Sequence, residues 1–365
     1  MEVSAPSDWA LFTDVSEVME IASWGHEGAA LCFRGRLKVR ASEASRLLAA
    51  RAREYGLRPF LQREGEGAVF RFVPVGRARP EGRKIVHLLL FLATLLSTLL
   101  VGALMTGPEP KDILSRPLLI LKGVPFSFTL LLILGFHEFS HYFVSRRYGI
   151  RTSLPYFIPF PNLLGTMGAV IISRSPFPDR KSLFDVGIAG PLASFVLSAG
   201  AIFLGFSEIA LVRTNALLLR PEPGLYLGDS LLTAALFSLR YHPIPPGYDI
   251  SLGPISFAGW VGLFVTALNL LPMGQLDGGH ISYALCGRRH ELITKITVML
   301  LALFGLLFSS PFWIFIAVMI AVLSPRHAPP LEDITPLNPA RICLALLAFL
   351  ILAACFIPVP LRMVG

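Results

Sequence analysis

Long apolar runs alternate with short polar connections over most of this chain. After residue 83, apolar segments recur that approach the ~20 residues a helix needs to cross the hydrocarbon core of a bilayer. We therefore predict a mainly α, polytopic membrane protein of about seven spans. The predicted spans are Ile85–Met105, Leu118–Val144, Leu183–Phe206, Ile255–Leu271, Leu292–Phe308, Phe312–Leu323 and Ile342–Ile357.

Residues 1–83 show a different pattern, in which polar and apolar positions are mixed. The pattern predicts a strand over Ala29–Val39, a helix over Ala41–Tyr55 and a second strand over Ala68–Val75. We expect a small cytoplasmic α+β domain here, for which a ferredoxin-like topology is one arrangement, followed by a transmembrane domain over 84–365. A regulatory or solubilising cap and a ligand-binding role both stay open for this domain.

The segment Leu154–Ser173 is apolar but contains three prolines and two glycines, Gly165 and Gly168. Such a run cannot form a straight helix. Non-helical backbone at membrane depth is tolerated only where protein buries it or where it lines a cavity. We therefore predict a re-entrant loop with a short strand over Gly168–Ile172.

Composition and charge agree with the membrane prediction. The 365 residues are 54% hydrophobic and 15% charged, against about 25% charged in soluble domains. The net charge is +8, but Arg and Lys cluster at span ends, as the positive-inside rule requires, so we expect no nucleic acid partner. This bias predicts a multi-pass protein of the cell (inner) membrane with a cytoplasmic N-terminus. We expect no cleaved signal peptide and no disulfide framework from the four scattered cysteines.

The second predicted span carries the sequence His137-Glu138-Phe139-Ser140-His141. This H-E-x-x-H pattern places two imidazoles on one face of a helix, where they can bind zinc, and leaves the glutamate free to act as a general base. Ionisable side chains are costly at membrane depth, so three of them within five residues indicate a function or a partner. The alternative is a buried polar cluster whose hydrogen bonds are satisfied internally.

A catalytic zinc site takes three protein ligands and keeps one position open. Asp277 is the candidate third ligand, since paired glycines follow it and Pro272 and Gly274 break the preceding helix. We expect one Zn²⁺ per chain. The alternative for Asp277 is a turn residue that caps backbone groups. Asn269 lies two helical turns earlier and either donates a hydrogen bond to the substrate or oxyanion, or joins two helices.

The core from 118 to 289 resembles the site-2 protease family of intramembrane zinc metalloproteases. The motifs that carry the resemblance are His137-Glu138-x-x-His141, Gly190-Pro191 and Asn269-x-x-Pro272-x4-Asp277-Gly-Gly. The resemblance implies that His137, His141 and Asp277 bind zinc and that Glu138 is catalytic. It also implies that Gly165-Thr-Met-Gly168 corresponds to the family's G-x-x-G element, an embedded strand that pairs with unwound substrate. Neither a PDZ-like insertion nor a CBS-like pair is found in the sequence, which resembles the branch with a bare membrane core.

Two hypotheses of function follow. The first is an endopeptidase that cleaves transmembrane helices of single-pass membrane proteins, in a bacterial membrane, with an anti-sigma-type regulator as one candidate substrate. The second is a metal-binding membrane scaffold or transporter without proteolytic activity. Transporters usually carry polar residues on several spans and show repeat symmetry, whereas here the polar groups collect around one site that retains Glu138. The oligomeric state and the identity of the substrate stay open.

Overall fold

The structure is a computed structural model that describes residues 6–75, 83–213, 224–245, 248–323 and 327–364. It consists of an N-terminal α+β domain and a larger helical domain. The N-terminal domain contains two helices and four strands: α1 (Pro6–Val18), β1 (Met19–Glu27), β2 (Ala30–Leu37), α2 (Ala41–Glu54), β3 (Leu57–Glu64) and β4 (Gly67–Pro74). The elements β2, α2 and β4 lie where the sequence predicted a strand, a helix and a strand, whereas α1, β1 and β3 were missed.

The four strands form one antiparallel sheet in the order β1-β2-β4-β3. The element order α-β-β-α-β-β equals the ferredoxin-like order β-α-β-β-α-β with its first strand moved to the end. Both helices pack on the sheet, because Leu11 of α1 and Leu48 of α2 share one buried cluster with Phe33, Phe70 and Phe72. The domain therefore has its own hydrophobic core.

The helical domain contains ten α-helices among the described residues. They are α3 (Lys84–Met105), α4 (Pro110–Ser115), α5 (Val124–Arg147), α6 (Arg180–Leu204), α7 (Leu231–Ser238), α8 (Pro254–Leu270), α9 (Asp277–Cys286), α10 (His290–Leu307), α11 (Pro311–Leu323) and α12 (Pro339–Cys355). Within the part of the chain that the structure describes, four helical stretches are long and apolar enough to cross a membrane, namely Lys84–Met105, Pro117–Arg147, Arg180–Glu208 and Asp277–Leu307. The apolar helices α8, α11 and α12 are shorter. Each predicted span coincides with an apolar helix, and the number of spans stays a prediction.

The segment between α5 and α6 forms a two-stranded antiparallel sheet of β5 (Tyr156–Pro159) and β6 (Thr166–Val170). The strand predicted over Gly168–Ile172 was placed too late in the chain. It begins at Thr166 because this side chain donates a hydrogen bond to the carbonyl of Ile158 (2.8 Å), which closes the turn between the strands. Two further two-stranded sheets pair β7 (Ala210–Arg213) with β9 (Tyr248–Ser251), and β8 (Gly224–Leu227) with β10 (Leu361–Val364).

Helix α6 lies at the centre of the helical domain and packs along α5, α8 and α9. Its first turn is fixed by Asp179, which accepts from the backbone N–H of Ser182 while Ser182 donates to the carbonyl of Asp179. Apolar side chains of α6, α8 and α9, among them Phe184, Leu270 and Ile281, share one buried cluster. This packing holds α6 against both α8 and α9.

A short segment near the end of the chain joins the two domains. We name Leu331–Asp333 the bridging segment. The N–H of Leu61 in β3 donates to the carbonyl of Leu331 (2.7 Å), and the N–H of Asp333 donates back to Leu61 (2.9 Å). On its other side, the N–H of Leu331 donates to the carbonyl of Phe177, just before α6 (2.9 Å). The segment therefore connects the edge of the N-terminal sheet to the start of the central helix.

Candidate metal centre

Three side chains from two helices converge at the predicted site. His137 and His141 project from α5, and Asp277 is the first residue of α9. The Nε2 atoms of the two histidines are 3.1 Å apart, and Oδ2 of Asp277 lies 3.2 Å and 3.4 Å from them. Both histidines are 5% exposed. The structure thus brings together the three residues that the sequence predicted as ligands.

These distances fit one zinc ion. Zinc–nitrogen and zinc–oxygen bonds of about 2.0–2.1 Å with tetrahedral angles separate the ligand atoms by about 3.3 Å. The observed separations of 3.1, 3.2 and 3.4 Å lie close to that value. Three protein ligands also leave the fourth tetrahedral position open, as a catalytic zinc site requires. The His-His-Asp group can therefore hold a metal ion.

Backbone contacts orient His141. Its Nδ1 lies 2.7 Å from the carbonyl oxygen of Val186 on α6. A carbonyl only accepts hydrogen bonds, so Nδ1 carries the proton and Nε2 presents its lone pair to the metal position. Gly190 of the Gly190-Pro191 motif allows this approach, since a Cβ on it would come within 2.2 Å of Nε2 of His141. The glycine of the motif therefore leaves a flat face without a side chain on α6, against which the ring of His141 lies.

Side chains orient His137. Its Nδ1 lies 3.1 Å from the hydroxyl of Ser194 on α6. Nδ2 of Asn269 on α8 is 3.4 Å from Nε2 of the same histidine. Asn269 is therefore at the edge of the metal position, where the sequence placed either a donor to the substrate or a bond between helices. Both of these arrangements are compatible with the observed contact.

Glu138 lies beside the metal group but is not among its ligand atoms. The side chain is 8% exposed and lies beside the backbone of Ile171, the residue that follows β6. The carboxylate therefore faces the space between α5 and the end of this strand. Glu138 is thus close to both the metal group and the end of β6.

The predicted break before Asp277 is confirmed. Helix α8 ends at Leu270, directly before the turn that contains Pro272, and Gly274 has a left-handed φ of 55°. A new helix then begins at Asp277 itself. The break lets the chain change direction, so that the carboxylate turns towards the histidines of α5.

The two glycines of the predicted G-x-x-G element have different environments. Gly165 has a φ of 76°, and a Cβ on it would come within 2.7 Å of the carbonyl oxygen of Ser97 in α3. The hydroxyl of Ser97 donates to the carbonyl of Gly165 (2.6 Å). Gly168 lies within β6, has a φ of 99° and has open space where a Cβ would stand. Gly165 therefore attaches the loop to α3, and Gly168 alone lies in the strand.

A second buried polar cluster lies further along α9 and was missed by sequence reasoning. Oδ1 of Asp333 accepts from Nε of Arg180 (2.7 Å), and its Oδ2 accepts from the hydroxyl of Tyr283 (2.9 Å). Asp333 is 5% exposed. Nothing in the local pattern around these three residues indicates that they meet, because they come from distant parts of the chain. The cluster fixes the bridging segment to α6 and α9.

Tyr148 and His327 lie outside the membrane helices, and the pKa values of both side chains are shifted. Burial, together with the hydrogen bond that Tyr148 donates to Asp185, raises the pKa of Tyr148 to about 12. Burial lowers the pKa of His327 to about 3. Its Nδ1–H donates to the carbonyl of Ala328 (2.9 Å), so its Nε2 accepts from Nδ1–H of His280 (2.7 Å). Both groups therefore stay neutral at pH 7 and act as fixed hydrogen-bond partners.

Comparison with known proteins identifies the family. Residues 125–240 and 249–310 match Peptidase family M50. The matched regions contain both histidines, the glutamate and the aspartate of the candidate metal centre. The chain therefore carries a membrane domain of the site-2 protease family, and the resemblance seen in its sequence motifs is confirmed.

The chain is also similar to zinc metalloproteases of plants. It is 30% identical over 258 residues to the "probable zinc metalloprotease EGY2, chloroplastic" of Arabidopsis thaliana, covering 68% of this chain and 44% of that protein. It is 30% identical over 297 residues to the Arabidopsis "probable zinc metalloprotease EGY1, chloroplastic", covering 75% and 53%. The match to EGY1 of Oryza sativa subsp. japonica is 32% over 217 residues, covering 53% and 36%. The matches thus span about half or less of each relative. These relatives are described as chloroplastic, so they give no support to a bacterial origin.

Proposed function

We propose that this protein is an intramembrane zinc endopeptidase that hydrolyses peptide bonds within or near the transmembrane helices of single-pass membrane proteins. The observation that carries the proposal is the set of three ligand atoms at zinc spacing on buried faces of α5 and α9. Both helices belong to stretches that are long and apolar enough to cross a membrane. Both features support a site that a substrate would reach from within the bilayer or close to its surface.

The residues have separate roles in this proposal. His137, His141 and Asp277 would hold one zinc ion. Zinc supplies Lewis-acid chemistry, which activates water and polarises a carbonyl. Glu138 takes a proton from the attacking water on its carboxylate and later gives that proton to the leaving amine. The carboxylate lies beside the backbone of Ile171, at the end of β6.

Asn269 would bind the substrate rather than the metal. Its Nδ2 stands 3.4 Å from a ligand nitrogen, at the edge of the metal position. A donor at such a point stabilises the negative charge that develops on the scissile carbonyl oxygen. The same donor would hold a substrate carbonyl before reaction.

The sheet β5–β6 would bind the substrate backbone. A transmembrane helix hides its peptide groups in internal hydrogen bonds, so it must unwind before hydrolysis. An open strand edge offers replacement hydrogen bonds by β-augmentation. β5 is held against α3, where the ring of His87 lies 3.9 Å from that of Tyr156 and its Nδ1 is 3.1 Å from the carbonyl of Pro155. β6 contacts α5 and ends beside Glu138, and Gly168 would let a substrate chain approach closely.

Partners and location follow from the same proposal. The partners are a lipid bilayer and single-pass membrane proteins, and an anti-sigma-type regulator stays a predicted substrate. The cytoplasmic N-terminus and the bacterial inner membrane likewise stay predictions. The predicted orientation rests on the distribution of Arg and Lys around the spans.

The proposal is tested with the full chain in proteoliposomes, loaded with zinc and mixed with a single-pass substrate of known sequence. Glu138→Gln removes the base but keeps the three ligands. We expect it to abolish cleavage while zinc stays at about one ion per chain by elemental analysis. Cleavage at the normal rate by this variant would overturn the proposed mechanism. Wild-type protein that binds zinc but cleaves no transmembrane substrate would favour the non-proteolytic alternative.

A further inference from the structure

A line of buried hydroxyl groups leads away from the ligand His137. Its Nδ1 lies 3.1 Å from Oγ of Ser194, Ser194 lies 2.8 Å from Oγ1 of Thr266, and Thr266 lies 2.7 Å from the carbonyl oxygen of Gly262. Ser194 is 3% exposed and Thr266 is fully buried. The line crosses from α5 through α6 to α8 and ends on backbone.

The direction of each hydrogen bond in this line follows from the backbone carbonyl at which the line ends. The carbonyl of Gly262 only accepts, so the hydroxyl of Thr266 donates to it. Ser194 then donates its proton to Thr266, or to the carbonyl of Gly190 at 3.1 Å. In either arrangement the oxygen of Ser194 keeps a lone pair for Nδ1–H of His137. That tautomer leaves Nε2 of His137 without a proton, as binding to a metal requires.

We propose that Ser194 and Thr266 are positioning residues for the metal centre, which fix the tautomer and the ring orientation of His137. The inference rests on the proposed function in that it assumes a metal at this site. The contrast with His141 supports it. That ring is oriented by a backbone carbonyl, which no side-chain substitution removes. Among the described residues, the hydroxyl of Ser194 is the hydrogen-bond partner found for Nδ1 of His137, and its loss leaves the ring free to rotate or to change tautomer.

The experiment compares two substitutions of Ser194 that are matched in size and differ in the hydroxyl. Ser194→Thr keeps the hydroxyl, and Ser194→Val has nearly the same volume without it. We expect the zinc dissociation constant of the full chain in detergent, measured by chelator competition, to rise about 10–100-fold in Ser194→Val relative to Ser194→Thr. Thr266→Val should raise it less, because Ser194 retains the carbonyl of Gly190 as an acceptor.

Ser198 provides the matched control. It lies one turn further along α6, is fully buried, and its hydroxyl has no hydrogen-bond partner among the described residues. Ser198→Ala should leave zinc affinity unchanged. Equal zinc affinity in Ser194→Val and Ser194→Thr would overturn the inference. If Ser194→Val does not fold, Thr266→Val decides, and an unchanged dissociation constant in that variant overturns it.

The readout is separate from proteolysis. Absence of substrate cleavage by the wild-type protein would contradict the proposed function, yet the zinc dissociation constants of the variants would still test the positioning role. A wild-type protein that binds no zinc would refute both.

Discussion

Helix α9 carries one residue of each of two buried polar clusters, and the two clusters differ in how their atoms are paired. Asp277 begins the helix and faces Nε2 of His137 and His141, so three metal-binding atoms lie within 3.4 Å of their neighbours. Tyr283 lies further along and donates to Asp333, whose other oxygen accepts from Arg180. In the second cluster every carboxylate oxygen has its own donor.

This difference separates a functional site from a structural one. Buried acceptors without donors are unfavourable, and a cation at their centre removes the penalty. In the metal centre, Nδ1–H of His141 donates to a backbone carbonyl. Nε2 of the neutral ring therefore carries no proton that it could donate to Asp277. The Asp333 cluster needs nothing from outside the protein. A largely buried carboxylate can therefore be a ligand or a structural anchor, and its partners decide which.

The largest expected effect is that of removing the ligand carboxylate. Asp277→Ala leaves two neutral imidazoles, which bind zinc much more weakly than a set that includes an anion. We expect zinc well below one ion per chain by elemental analysis and cleavage reduced by more than about 1000-fold. Near-full zinc in this variant would exclude Asp277 as a ligand and remove the contrast between the clusters.

The next effect concerns the space beneath the metal centre. In Gly190→Ala the new Cβ would overlap Nε2 of His141, which must then move. We expect zinc affinity to fall about 10–100-fold in chelator competition. Gly200→Ala is the control on the same helix, because a Cβ there meets nothing within 4 Å. Equal zinc affinity in the two variants would show that the flat face of α6 does not support the metal centre.

The same type of substitution in the second cluster should change stability instead of metal content. Asp333→Ala leaves the buried groups of Arg180 and Tyr283 without their acceptor. We expect the free energy of unfolding to fall by about 3 kcal/mol, seen as a lower Tm in detergent. Zinc should stay at one ion per chain. Loss of zinc without loss of stability would mean that the two clusters are not separate in function.

The smallest effect is that of a single hydrogen bond in the second cluster. Tyr283→Phe removes one donor to Asp333 but leaves Arg180 in place. We expect a loss of about 1 kcal/mol in the free energy of unfolding, with normal zinc content and normal cleavage. A loss as large as that of Asp333→Ala would show that Tyr283, and not Arg180, holds the bridging segment to the helical domain.

The sequence predicted those features of the candidate site that depend on residues close together in the chain. The i, i+4 spacing of His137 and His141 and the helix break before Asp277 are visible as patterns, and the break was predicted from Pro272 and Gly274. The partners of the histidines were not predicted. Val186 contributes only a backbone carbonyl, and every residue type has one, so the sequence gives no indication of this contact. The spacing between Ser194 and Thr266 in the sequence likewise does not indicate that they meet. The available signal was the polar side chain of Ser194, four residues after Gly190 of the Gly190-Pro191 motif.

The fold shows the same division between local and distant contacts. The apolar runs predicted the helices, but their periodicity does not indicate which helix lies at the centre of the helical domain. In the N-terminal domain, β2, α2 and β4 had clear patterns, whereas β3 contains Pro59 and several charged residues and was missed. The strand that corresponds to β6 was predicted too late in the chain. The turn that sets its register depends on the hydrogen bond between Thr166 and Ile158, and not on the apolar pattern.

The bridging segment has a consequence for how the protein is made. Leu61 and Leu331 lie near opposite ends of the chain, yet their backbones are hydrogen-bonded to each other. During synthesis the N-terminal domain is complete long before the residues that cover the edge of β3 leave the ribosome. Until then this edge presents unpaired backbone groups, the feature by which strands pair with other chains. Docking of the N-terminal domain is therefore a late step of biogenesis, reached only after nearly all the apolar helices have been translated.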